Sequence, residues 1–303
     1  MSRPSGGLRK VKCVATGVTA FVVLTGCAAA AELAESARTL EQETTAPRPE
    51  PQPEREPEPP PEPDPAPDTG CRRLSIDDLA TVVDDSPVVG CRKPHTVYTY
   101  DVGKLPPRIL KKGTLSPARK RVQNAARRGC DTTFRTWIAG TDHELALTML
   151  DTEYFLPDRR QFRLGAPWVR CDVFAYAVDD GGKRALSRLP NGLKGGMKDP
   201  RIRDRVGRCG NVDPGRNAFR AIICAKPHNW RAVDTFVAGR RAERWPGVAQ
   251  LQERGRNRCQ PKVRAWVRRA GIDRQVNFNA IPFDKASWES GTRYGLCWAQ
   301  TRQ

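Results

Sequence analysis

The sequence predicts an α+β protein made of two tandem small disulfide-stapled domains, each a short antiparallel sheet with one main helix. Three observations carry this. Eight cysteines fall into two sets of four: Cys71, Cys91, Cys130 and Cys171, then Cys209, Cys224, Cys259 and Cys297. Their gaps are similar, 20, 39 and 41 residues in the first set and 15, 35 and 38 in the second. The cassette Cys-x-Lys-Pro-His stands at Cys91–His95 and again at Cys224–His228, in a chain with only three histidines.

The chain opens with an export signal over 1–26. Arg3, Arg9, Lys10 and Lys12 form its positive region, and Cys13 to Thr25 an apolar stretch short for a bilayer span. Leu24-Thr25-Gly26-Cys27 looks like a lipobox, in which the Cys27 thiol receives a diacylglyceryl group and cleavage follows Gly26. Two or three acyl chains, at about 0.8 kcal/mol per buried CH₂, hold almost irreversibly. The expected location is extracytoplasmic, lipid-anchored to the outer face of the cell membrane. Residues 27–70 then read as a disordered Pro/Glu-rich tether, because such a composition buries too little apolar surface to fold.

The first copy is expected over 71–200, with a tail or linker from about 180, and the second over 201–303. "SPVVGC", "HTVYTY" and "WVRCDVFAYA" read as strands of the first, and "AFRAIIC", "NWRAVDTFV" and "RYGLCWAQ" as strands of the second. A helix is predicted from Ser116-Pro117, with Val122, Ala126, Cys130, Phe134 and Trp137 on one buried stripe. Its counterpart follows Pro246-Gly247, with Val248, Leu251, Cys259, Val263 and Trp266. Trp137 and Trp266 each stand seven residues after the third cysteine, and Gly165 and Gly291 each six before the fourth. Offsets this regular indicate a tandem duplication.

Cysteines in an exported chain form disulfides. Four per copy admit three pairings, between which the sequence does not choose; first with second and third with fourth is preferred. Small cores need such staples, each worth roughly 2–4 kcal/mol.

Charge narrows the partners. Residues 27–70 carry eleven acidic and three basic residues, whereas 71–303 carry 45 basic and 23 acidic, a net of +22. A body this basic attracts polyanions. No nucleic-acid-binding signature occurs, so anionic wall polymers, lipid head groups and divisome proteins are the expected partners beside the membrane itself.

At these residues the chain resembles the septum formation domain of actinobacterial envelope proteins. "VVGCRKPH" and "IICAKPH", "RWPGVAQLQERGRNRC" and "SWESGTRYGLC" carry the likeness, over about 71–200 and 205–303. It implies an exported, membrane-associated protein linked to septum or envelope biology, and it transfers no catalytic residue. Family members often place Glu three residues after the histidine, where this chain has Tyr98 and Arg231.

Sharper chemistry is weighed against this. A Cys/His hydrolase or thiol redox enzyme would need a free thiolate beside an oriented imidazole. A zinc site would need tight Cys-x₂₋₄-Cys knuckles, which are absent. The expectation is therefore a noncatalytic module without cofactor or metal. His95, His228, Trp137, Trp266, Gly165 and Gly291 are read as structural, and His143 as a loop residue without a role.

Overall fold

The computed structural model describes residues 59–110, 116–178 and 184–301. The export signal and Cys27 lie outside the described residues. Among the described residues, no helix is long and apolar enough to cross a membrane.

The amino-terminal half runs β1 (Gly70–Arg72), α1 (Ile76–Leu79), β2 (Val97–Lys104), α2 (Pro107–Leu110), α3 (Lys120–Ile138), α4 (Asp142–Ala146), β3 (Leu150–Phe155), α5 (Arg159–Arg163), β4 (Trp168–Val178) and β5 (Arg184–Leu186). After α6 (Pro200–Val206) come β6 (Arg208–Gly210), β7 (Ile222–Ile223), β8 (Trp230–Val237), α7 (Val248–Arg269), β9 (Phe278–Pro282), α8 (Lys285–Glu289) and β10 (Tyr294–Gln300).

Two antiparallel sheets result, in the orders β1-β2-β4-β3 (β5 pairing β4) and β7-β6-β8-β10-β9. The path β6-β8-β10-β9 repeats β1-β2-β4-β3. The register repeats too. Cys171 faces Asp101 and Asp172 faces Thr99, with Tyr100 skipped between them. Cys297 faces Asp234 and Trp298 faces Ala232, with Val233 skipped. Each sheet is therefore bulged at the same place, one residue past its third-strand cysteine.

One long helix covers each sheet. On α3 the apolar residues Val122, Ala126, Cys130, Phe134 and Ile138 recur every four residues, so one face is buried. Ala139, left-handed at φ 57°, closes that helix. On α7 the buried residues are Leu251, Gly255, Cys259 and Val263. Val248, assigned from the sequence to the stripe, is 52% exposed, because it occupies the first turn, before the helix reaches the sheet. Gly255 lets α7 approach closely: a Cβ there would stand 2.6 Å from Phe236 and 2.7 Å from Ala280.

Four disulfides close the frame: Cys71–Cys91, Cys130–Cys171, Cys209–Cys224 and Cys259–Cys297, with Cα separations of 5.0 to 5.3 Å. In each half one staple ties the first strand to the cassette turn and the other pins the long helix to the sheet. Several strands escaped the sequence reading. β1, β3, β6 and β9 are short or mix polar with apolar residues, so no alternation announces them. "SPVVGC" supplies only an isolated bridge, Val89 to Cys71.

The stretch read as tail and linker supplies core. Leu189, Leu193 and Met197 are buried against α3 and its sheet, together with Ile202, Val206 and Ile223 from the stretch assigned to the second copy. Composition hid this, because Leu189, Leu193 and Met197 lie scattered among Gly, Lys and Arg. The described residues accordingly form one compact unit. Backbone bonds Met149 N–H to Val206 O (2.8 Å) and Arg208 N–H to Leu147 O (2.7 Å) join the halves directly.

Candidate functional site

The two cassettes fold identically, and for a readable reason. A turn is closed by Lys93 N–H donating to Gly90 O (2.8 Å), and in the second cassette by Lys226 N–H donating to Ile223 O (3.0 Å). The disulfides at Cys91 and Cys224 fix these turns to β1 and β6. Pro94 and Pro227 then exclude helical backbone at the preceding lysines. Each imidazole folds back on the turn: His95 Nδ1 lies 3.0 Å from Lys93 O, and His228 Nδ1 2.8 Å from Lys226 O. Both rings thus serve as caps of the lysine turn, with Nδ1–H donating to the carbonyl two residues back.

Tertiary packing brings the two turns to one place. His95 O accepts from Leu189 N–H (3.1 Å), which draws residues 187–190 along the first cassette. Ala225 N–H donates to Arg205 O (3.2 Å), which seats the second cassette on the end of α6. Between them opens a cleft of about 370 Å³ lined by Arg92, Lys93, Arg188, Arg205 and Lys226, with no carboxylate among the described residues of its lining. Ser187 and Asn191 offer neutral polar groups, and the buried Leu189 and Ile223 form apolar wall. Five cations around one concavity concentrate positive potential there.

A second arrangement distinguishes the halves. In the first, Arg170 lies 2.6 Å from Asp84 and 3.0 Å from Asp172, with side-chain exposures of 1%, 7% and 0%. Thr99 donates to Asp172 (2.7 Å) and accepts from Arg72 Nε (2.9 Å). Burial pushes the Asp172 carboxyl upward, against the pull of Arg170 and Thr99, and pushes the Arg72 guanidinium downward. The Arg170 guanidinium also stacks on Phe155, 4.2 Å from the ring centre. At the matching sheet positions the second half has Ala232, Leu296 and Trp298, an apolar cluster. A cavity of about 590 Å³ adjoins the charged cluster, partly covered by Asp64 to Asp68. Asp64 N–H donates to Gln161 Oε1 (2.8 Å), and Asp68 O accepts from Arg72 (2.7 Å), so the end of the Pro/Glu-rich segment lies against the folded body.

Trp137 is half-buried, stacked on Tyr98 and tilted against Tyr100, each at 5.4 Å; Trp266 packs on the second core. Gly165 and Gly291 follow the short helices α5 and α8 with φ 92° and 109°, a conformation that favours glycine. Those helices share a cap as well: Asp158 accepts from Gln161 N–H and Asp284 from Ser287 N–H. Sulfur and imidazole ligand atoms of Cys209, Cys224 and His228 lie within 4.8 Å of one another. Both sulfurs are joined in a disulfide, which leaves the imidazole as the only good donor of the three.

His143 is the residue that the sequence undervalued. It lies in α4, whose capping box pairs Thr141 with Glu144, and not in a loop. Its Nδ1 stands 2.8 Å from Thr235 Oγ1 and its ring 5.2 Å from Tyr294, both in the other half. Burial raises the pKa of nearby Tyr294 and lowers that of Arg208. The capping signal Thr-Asp-His-Glu was available in the sequence; the partner was not.

In comparison with known proteins, the pattern of the family described as "Septum formation" matches residues 71–297. No curated protein and no solved structure matches the chain.

Proposed function

Because the chain belongs to the septum formation family, we propose that it is a noncatalytic, lipid-anchored protein of the cell envelope that acts in septum formation. In this reading Cys27 carries the lipid, the Pro/Glu-rich segment spaces the folded body from the outer face of the membrane, and a basic surface holds an anionic envelope component or a protein partner. The observation that carries it is the five-cation cleft, which has no carboxylate among the described residues of its lining and sits in a body of net +22.

The noncatalytic part is supported by the sulfur chemistry. Both cassette cysteines are consumed in disulfides, and both imidazoles are turned toward backbone carbonyls, so neither cassette presents a nucleophile and base. A tandem duplication is supported by the repeated strand path, bulge and staples. The two copies have grown together through the shared core at Ile223.

Two measurements test the proposal. Mass spectrometry of the exported protein should find an acylated Cys27 and eight blocked thiols; a reactive thiol at Cys91 or Cys224 would favour a hydrolase or redox enzyme instead. A fluorescent fusion should gather at the division site and disperse in Cys27→Ser. Unchanged position and division phenotype in that variant would remove the anchor from the account.

A further inference from the structure

We infer that the cleft between the two cassettes is a binding site for a phosphate ester, held by Lys93 and Lys226 from the paired turns and by arginines of the segment that joins the halves. This rests on the reading above that the protein holds an anionic envelope component, and it names the place and the ligand class.

The place follows from construction. A Cys-x-Lys-Pro-His turn presents an exposed lysine with its backbone locked on three sides: by a disulfide, by the turn hydrogen bond and by the imidazole cap. The chain builds this device twice, and the packing of residues 187–206 puts both copies on one cavity. Arg205 is seated by the same bond that holds the second turn, Ala225 N–H to Arg205 O. Charge in a concavity acts on a ligand more strongly than the same charge on a convex helix face, because the low-dielectric walls focus the field.

The ligand class follows from the donors. A single carboxylate would neutralise one of five positive side chains. A phosphate group offers several acceptor oxygens, and arginine forks and lysine ammoniums are the groups that engage them in short charge-assisted bonds. About 370 Å³ exceeds one phosphate and falls in the range of small-ligand sites. Ser187 and Asn191 suit the hydroxyls of a glycerol or sugar carrying the phosphate, and Leu189 and Ile223 its carbon skeleton. A wall polymer and a lipid head group both offer that chemistry.

The test uses the full-length chain, titrated calorimetrically with a glycerol-phosphate oligomer in one arm and with phosphatidylglycerol vesicles in the other. Lys93→Gln/Arg205→Gln/Lys226→Gln is compared with Arg256→Gln/Arg264→Gln/Arg268→Gln, which removes equal charge from exposed positions on α7. The cleft variant should lose on the order of a hundredfold in affinity for the probe that binds, and the helix variant about threefold or less. The arm showing saturable binding identifies polymer or lipid as the source. Equal losses in the two variants would overturn the cleft assignment while leaving the broader reading of a basic surface standing. No saturable binding of either probe by the wild type would overturn both. Eight blocked thiols and an unchanged near-ultraviolet circular dichroism spectrum certify each variant. Should the triple variant not fold, Lys93→Gln alone carries the same test, with about tenfold expected.

Discussion

Arg170→Leu places at one buried site the residue type that the other half already uses at Leu296, and its cost is large for a stated reason. Arg170 is the shared partner of Asp84 and Asp172, at 2.6 and 3.0 Å. Without it, Asp172, with a side chain 0% exposed, keeps Thr99 as its donor, and Asp84, at 7%, loses its ion pair. Removing one partner of a buried pair costs about 3–5 kcal/mol, because an uncompensated charge is left out of water. That figure is a large part of the stability of a typical domain, about 5–15 kcal/mol. The penalty should depend on pH in a definite direction. Burial already raises the Asp172 carboxyl above its usual value of 3.8, and loss of Arg170 raises it further. A carboxyl whose pKa is raised by folding binds its proton more tightly in the native state. Its contribution is therefore fully favourable below the unfolded value and is lost as pH rises through the folded one. The variant should consequently be weakest at pH 7 and recover part of its deficit as pH is lowered toward 4. Urea unfolding of wild type and variant with disulfides intact, at both pH values, measures the difference. Arg170→Leu/Asp172→Asn should recover part of the loss at pH 7. A single-variant deficit below about 1 kcal/mol at pH 7, or one that does not shrink on acidification, would refute the reasoning.

Other expectations follow from particular contacts. Gly255→Val should lower stability by about 1–3 kcal/mol in thermal unfolding, although valine outranks glycine as a helix former, because its side chain would press into Phe236 and Ala280. Glu144→Gln should cost stability at neutral pH and nothing at acid pH. The Thr141 backbone N–H holds the Glu144 carboxyl below its usual 4.5, so its contribution is complete above that value and lost as pH falls through the lower folded one; paired melts at pH 7 and pH 2 read the gap. Replacing Cys209 and Cys224 by serine should cost about 3 kcal/mol, and Cys259 and Cys297 about 4 kcal/mol, from closed loops of 15 and 38 residues. Urea midpoints give both values, and the reverse ranking would discredit the loop argument. A double-mutant cycle on His143→Ala and Thr235→Val should return a coupling of about 1 kcal/mol; zero coupling would remove that bond from the contacts between the halves.

Legibility followed the range of the interaction. The helices α3 and α7 were readable because a face-to-core stripe is a local pattern, and Cys130 and Cys259 sit on that stripe among apolar residues. Gly165 and Gly291 were readable as fixed offsets, and their positive φ gives the reason. The joining segment misled because Leu189, Leu193 and Met197 stand among glycines and cations, with no period to mark them as core. His143 misled because its partners, Thr235 and Tyr294, are 92 and 151 positions away in the chain.

By itself the sequence determined the family pattern, the mixed helix and sheet composition, the repeated Cys-x-Lys-Pro-His cassettes, and the set of eight cysteines available for staples. Each depends on chemistry within a few residues: a proline restricting its neighbour, a turn, a helical period, a count of thiols. The tertiary structure decided which cysteines meet, that the joining segment becomes core, that one half buries Arg170 and Asp172 where the other buries Leu296 and Trp298, and that both lysine turns open on one cleft. Those outcomes depend on which distant surfaces exclude water against each other. That free energy belongs to the packed whole and leaves no mark in any short stretch of the chain.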